Sequence, residues 1–160
     1  LFLTLLLPPC LASDNFTLYL VRHAEKQPDG KNPKLTKCGQ LRAKQLAILL
    51  SKADIQSVYS TSYQRTMSTA APVSKARDVA IKHYDPRQLE QFSLHLKQRK
   101  ENALIVGHSN TTPELTALLS AQEVDSMNEK QYQNLYQVIF VDNNIELITL
   151  TQPLTCNIVL

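Results

Sequence analysis

The sequence predicts an α/β fold, a three-layer sandwich in which a mainly parallel sheet carries helices on both faces and ends in an antiparallel C-terminal hairpin. Three observations predict it. Strand-like runs at 16–21, 55–60, 79–84 and 103–106 alternate with stretches of helical periodicity. Residues 103–106 are apolar at every position, as a central strand buried on both faces requires. Two further strand-like runs, 136–141 and 145–150, flank a turn of Asp142, Asn143 and Asn144.

The elements follow in order. After the first strand, Pro28, Gly30 and Pro33 among polar residues mark a surface loop over 27–35. Thr36 is placed to cap a helix whose apolar positions Leu41, Leu46, Ala47, Leu49 and Leu50 continue to about residue 53. Thr61 and Ser62 are expected to cap a second helix reaching about Arg77, with Pro72 expected to kink or shorten it. Asp85 and Pro86 open a third, through Leu89, Phe92 and Leu96 to about Lys100. Thr111 and Glu114 have the spacing of a capping box for a fourth helix, which ends near Ser120.

At 160 residues and 43% hydrophobic composition, the chain is sized for one domain, expected over 14–160. A net charge of +3, with Lys and Arg scattered and not interleaved with aromatics, points away from nucleic acid and toward a small anionic substrate. Residues 1–13 differ from the rest. The apolar run 1–7, followed by Pro8, Pro9, Cys10 and the small residues Ala12 and Ser13, is too short to span a bilayer and suits a signal-peptide core whose start precedes Leu1. A periplasmic or secreted location is therefore expected; the alternative is a packed or disordered apolar N-terminus of a cytoplasmic protein. Export would permit a disulfide between Cys38 and Cys156, and two unpaired thiols are the competing reading. Neither a Cys-x-x-Cys pair nor a His-Glu-x-x-His motif occurs, so no zinc site is expected.

The chemistry gathers at strand ends. The first run stops at Arg22 and His23, the run 103–106 stops at Gly107 and His108, and Arg65 follows the second run. In an open α/β sheet ligands sit at the carboxyl ends of strands, where these cationic side chains would repel one another unless an anion joined them. Arginines offer bidentate hydrogen bonds to phosphate oxygens, and a neutral histidine can attack phosphorus. Lys26, Ser109 and Asn110 are either pocket residues or ordinary loop and turn residues. His83 and His95 have no motif context and are expected to be structural.

In sequence order, the segments 20–25 (Leu-Val-Arg-His-Ala-Glu), 60–70 (Ser-Thr-Ser-Tyr-Gln-Arg-Thr-Met-Ser-Thr-Ala) and 106–109 (Val-Gly-His-Ser) resemble the histidine phosphatase superfamily, also called phosphoglycerate mutase-like. The resemblance implies a phosphomonoesterase with His23 as nucleophile and with Arg22, Arg65 and His108 forming the phosphate pocket. No Asp-rich divalent-metal cluster stands beside them in the sequence, so no metal or other cofactor is expected. Ser109 after His108 departs from the His-Asp pattern of the phytase-like branch. Mutases of the superfamily resemble longer chains with insertions, so a small phosphatase fits better. The competing functions are a phosphate-binding module without turnover and a phosphohistidine-protein phosphatase.

Two physical expectations accompany these roles. Arg22 and Arg65 should lower the pKa of His23, and one ring nitrogen should donate to a backbone carbonyl so that the other can attack. The proton for the leaving oxygen is assigned to Asp85, at the end of the third strand, with Glu90 and Glu25 as alternatives and helix capping as the competing role for Asp85. The loops 27–35 and 121–135 are expected to border the pocket mouth.

Overall fold

The computed structural model describes residues 15–154 and contains six strands and four helices. The strands are β1 (Phe16–Arg22), β2 (Ser57–Ser60), β3 (Ile81–His83), β4 (Ala103–Gly107), β5 (Asn134–Val141) and β6 (Asn144–Thr151). They form one sheet in the order β3-β2-β4-β1-β5-β6. The first four are parallel to one another, β5 runs antiparallel to β1, and β6 runs antiparallel to β5.

The helices are α1 (Lys37–Leu49), α2 (Gln64–Arg77), α3 (Leu89–Arg99) and α4 (Thr111–Ser120). Strand residues alternate between two cores. Leu18 and Leu20 of β1 and Ile105 of β4 pack with Leu89, Phe92 and Leu96 of α3 and Leu115 and Leu119 of α4. Val21, Leu104 and Val106 face the other way and pack with Leu46 of α1 and Ala70 and Val73 of α2. The sheet is therefore covered on both faces, and the expected three-layer architecture is present.

Several boundaries differ from the sequence reading, for local reasons. Thr36 does cap α1, its hydroxyl accepting from Gly39 N at 3.0 Å. The cap of α2 is Tyr63, not Thr61 or Ser62, because Thr61 turns inward to the site. Pro72 sits inside α2 without ending it; the helix forgoes the bond from its missing N–H and runs on to Arg77. The third helix starts at Leu89 because the Asp85 carboxylate accepts from Arg87 N at 3.0 Å, holding a turn where a first helical turn was expected. Thr111 makes no capping box; its hydroxyl accepts from His108 N at 3.1 Å. Cys38 is disulfide-bonded, and Cys10 and Cys156 lie outside the described residues, as does the expected signal segment.

One contact ties α1 to the chain leaving β1. Gly39 approaches so closely that a Cβ there would stand 2.2 Å from the carbonyl oxygen of Glu25. The Glu25 side chain accepts from Arg42 Nε at 2.9 and 3.0 Å and from Arg42 Nη2 at 2.6 Å. Arg42 is buried and also donates to Leu154 O at 3.1 Å. Removing one member of such a pair strands a buried charge. Glu25→Ala is expected to cost about 3 kcal/mol or more in urea-unfolding stability, a larger loss than an exposed ion pair would give.

Candidate active site

The site forms where adjacent strands send their helices to opposite faces. Arg22 ends β1 in register with Gly107 at the end of β4, and His23 N donates to Gly107 O at 2.9 Å. From there the chain turns to α1 on one face and to α4 on the other, which opens a crevice at the strand ends. A cavity of about 380 Å³ lies there, lined by Arg22, His23, Arg65 and His108 among others.

His23 is buried at the cavity floor, 2% exposed. Its Nδ1–H donates to Ala24 O at 2.8 Å, which leaves the lone pair on Nε2. Burial, more than any neighbouring charge, lowers its pKa from 6.5 to about 3, with Arg22 and Arg65 adding to the effect against the Ala24 bond. The expected direction holds, but desolvation is the larger cause. The ring of His108 lies 5.7 Å from that of His23, and burial followed by Arg65 and Arg22 lowers its pKa to about 4. Both imidazoles are neutral at neutral pH, so the four-way repulsion read from the sequence reduces to two guanidinium groups.

Each cation has its own support. Arg22 is 1% exposed; its Nη1 donates to Asn128 O and Gln131 O, both at 3.1 Å, and its Nη2 to Glu129 Oε2 at 2.9 Å. The Tyr132 ring covers it at 4.2 Å. Arg65 stands over Tyr63 at 4.4 Å and donates from Nη2 to His108 Nδ1 at 3.4 Å. The proton of His108 is then on Nε2, which donates to Thr61 Oγ1 at 2.9 Å. Thr69 Oγ1 accepts from Ala24 N at 2.9 Å and donates to Arg65 O at 2.7 Å, joining the first motif to the second. Nε of Arg22 and Nε of Arg65 are buried with no hydrogen-bond partner among the described residues. Two guanidinium side chains that line one cavity match an anionic ligand.

The structure brings Arg22, His23, Arg65 and His108 together, and it does not bring Asp85 with them. Asp85 lines the neighbouring cavity with His83 and Tyr84, and its carboxylate accepts from Arg87 Nε at 3.0 Å and Nη2 at 2.8 Å. Those bonds lower its pKa to about 2, so it carries no proton to give at neutral pH. Glu25 is held by Arg42, and Glu90 faces a different cavity. Lys26, Ser109 and Asn110 do line the His23 cavity. His95 packs on Tyr59 and Phe92, a structural place. The residues that sequence reasoning passed over are Glu129 and Tyr132, which stand in the 121–135 loop expected at the pocket mouth. Among the described residues no group of three or more His, Cys, Asp or Glu could hold a metal ion.

Residues 18–91, spanning the first motif and Arg65, match the family model of the histidine phosphatase superfamily, branch 1. That segment is similar to the superfamily over just under half of the chain. No curated protein sequence matches it closely. Solved structures match this chain in fold over most of its length. The alpha-ribazole phosphatase from Shigella flexneri is 19% identical with a TM-score of 0.71, covering 86% of this chain and 96% of that one. The protein histidine phosphatase SixA, solved with tungstate, is 14% identical with a TM-score of 0.68, covering 85% and 97%. Mycobacterial glucosyl-3-phosphoglycerate phosphatase is 11% identical with a TM-score of 0.65, covering 88% and 100%.

The neutral buried histidines set a pH dependence of stability. In the unfolded chain both protonate near 6.5, whereas folded His23 and His108 resist until about 3 and about 4. Their depressed values leave stability intact above pH 6.5 and remove it as pH falls toward the folded values. At pH 5 each is expected to cost about 1–2 kcal/mol relative to pH 7. Urea unfolding of wild type, His23→Asn and His108→Asn at the two pH values checks this, each variant showing a shallower decline.

Proposed function

We propose that this protein is a hydrolase of small phosphomonoesters that works through a phosphohistidine on His23. The observation that carries the reading is the placement of His23, ring neutral and lone pair on Nε2, in one cavity with Arg22, Arg65 and His108. The match of residues 18–91 to the histidine phosphatase model and the small phosphatases that share the fold support it. No metal enters the reaction.

The chemistry follows from the geometry. A phosphoryl group entering the cavity meets Arg22 and Arg65, whose charges neutralise its oxygens as the transition state spreads charge over them. The arriving dianion raises the pKa of His108, and protonation at Nδ1 turns that nitrogen into a further donor. His23 Nε2 attacks phosphorus while Nδ1–H stays on the Ala24 carbonyl, so the developing imidazolium charge is held by a fixed dipole. Water then displaces the histidine, and one difficult displacement becomes two easier ones. In the free protein burial keeps His23 neutral down to about pH 3, so the ring meets substrate unprotonated.

We place the protein in the periplasm or outside the cell. The apolar run 1–7 with Ala12 and Ser13 supports export, and so does the disulfide at Cys38, since disulfides persist in oxidising compartments. Among the described residues no helix is long and apolar enough to cross a membrane.

Purified protein is expected to release phosphate from p-nitrophenyl phosphate without added metal and in the presence of a chelator. His23→Ala is expected to lower kcat by at least about 10³-fold while still binding inorganic phosphate. A wild type that binds phosphate with no turnover would contradict the hydrolase reading in favour of a binding module.

A further inference from the structure

The reaction leaves one role unfilled, that of a proton donor for the departing oxygen, and the buried nucleophile dictates where the donor must stand. With His23 at the cavity floor, in-line displacement puts the leaving oxygen across phosphorus from it, toward the open mouth. The donor therefore belongs on the rim. Glu25 and Asp85 are engaged by Arg42 and Arg87, and Glu90 lies on another cavity. Among the described residues Glu129 is the one carboxylate that lines the His23 cavity, and its side chain is 75% exposed.

We propose that Glu129 is the proton-transferring carboxylate of this site, an inference that rests on the phosphatase reading above. Its Oε2 accepts from Arg22 Nη2 at 2.9 Å and its Oε1 from Ser109 Oγ at 2.7 Å. These donors suit phosphoryl oxygens equally well, so the carboxylate holds the place that the substrate's phosphate takes. Leaving that place requires only a side-chain rotation. The backbone on either side stays clasped to Arg22, through Asn128 O, Gln131 O and the Tyr132 ring.

The exchange also prepares the carboxylate for its task. On Arg22 and Ser109 its pKa is held down by their hydrogen bonds and by the Arg22 charge. Displaced, it trades a guanidinium for a phosphate dianion, and a like charge nearby raises its affinity for a proton, which it takes from water. His23 Nε2 then forms the N–P bond as the ester P–O bond breaks, and the Glu129 proton goes to the departing oxygen, giving the alcohol. In the second half the carboxylate takes a proton from the attacking water as its oxygen bonds to phosphorus. The N–P bond breaks with its electron pair returning to Nε2. Glu129, left protonated, returns that proton to solvent as it swings back to Arg22, so over the cycle one water is consumed and one alcohol and one phosphate are released.

A donor of this kind matters most when the leaving group is a poor one. The test compares wild type, Glu129→Gln and Asp85→Asn on p-nitrophenyl phosphate, whose nitrophenolate departs without a proton, and on glycerol phosphate, whose alkoxide needs one. The ratio of kcat/KM on glycerol phosphate to kcat/KM on p-nitrophenyl phosphate is expected to fall about 10²-fold in Glu129→Gln. An unchanged ratio overturns the proposal. So does a lower KM on both substrates at unchanged kcat, which would make Glu129 only a competitor for the phosphate site, or a fall in the ratio carried by Asp85→Asn instead. A wild type inactive on both substrates fails the phosphatase reading itself, a result distinct from each of these.

Discussion

The site depends on the parallel pairing of β1 with β4, continued one residue past Arg22 by the bond from His23 N to Gly107 O. That pairing puts two motifs 85 residues apart in sequence at one edge, since Arg22 and His23 leave one strand where Gly107 and His108 leave the other. Because the following helices part to opposite faces, the strand ends stay uncovered. Little room is left for adjustment at the junction. A Cβ on Gly107 would stand 2.8 Å from Thr112 Oγ1 and 2.9 Å from the Tyr84 hydroxyl, and one on Gly39 would meet the Glu25 carbonyl.

The electrostatics follow from that closeness. Two guanidinium groups and two imidazoles share a small buried volume, and the arrangement is tolerable because burial keeps both imidazoles neutral. The same neutrality makes His23 a competent nucleophile. Charge balance at Arg22 comes from a loop more than 100 residues away in sequence, with two backbone carbonyls on Nη1 and a carboxylate on Nη2. Of these, the carboxylate is the part that can exchange for a phosphoryl oxygen without unfolding the loop.

Much of this was legible in the chain. The all-apolar run 103–106 reads as a central strand, and the sequence alone puts Arg22, His23 and His108 at strand ends along one sheet edge. Arg65 was legible from its motif, although the helix that carries it starts at Gln64 and not after Thr61 or Ser62. The proton donor was not. Asp85 had the right strand end, but Asp followed two residues later by Arg makes a local turn in which the carboxylate binds its own backbone and guanidinium, and that local bond outcompetes the pocket. Glu129 sits in a loop with no periodicity to place it, so its bond to Arg22 is visible only once the chain has folded.

The central claim is that the phosphoryl group passes through His23, and trapping it is the most direct test. Wild-type protein mixed with a ³²P-labelled phosphomonoester and denatured in base within the first turnover should retain label that is stable to alkali and released by acid, as a phosphoramidate is. Peptide mapping should place it on His23, and the His23→Ala protein should carry none. Label on any other residue, or turnover by a protein that never becomes labelled, would contradict the account.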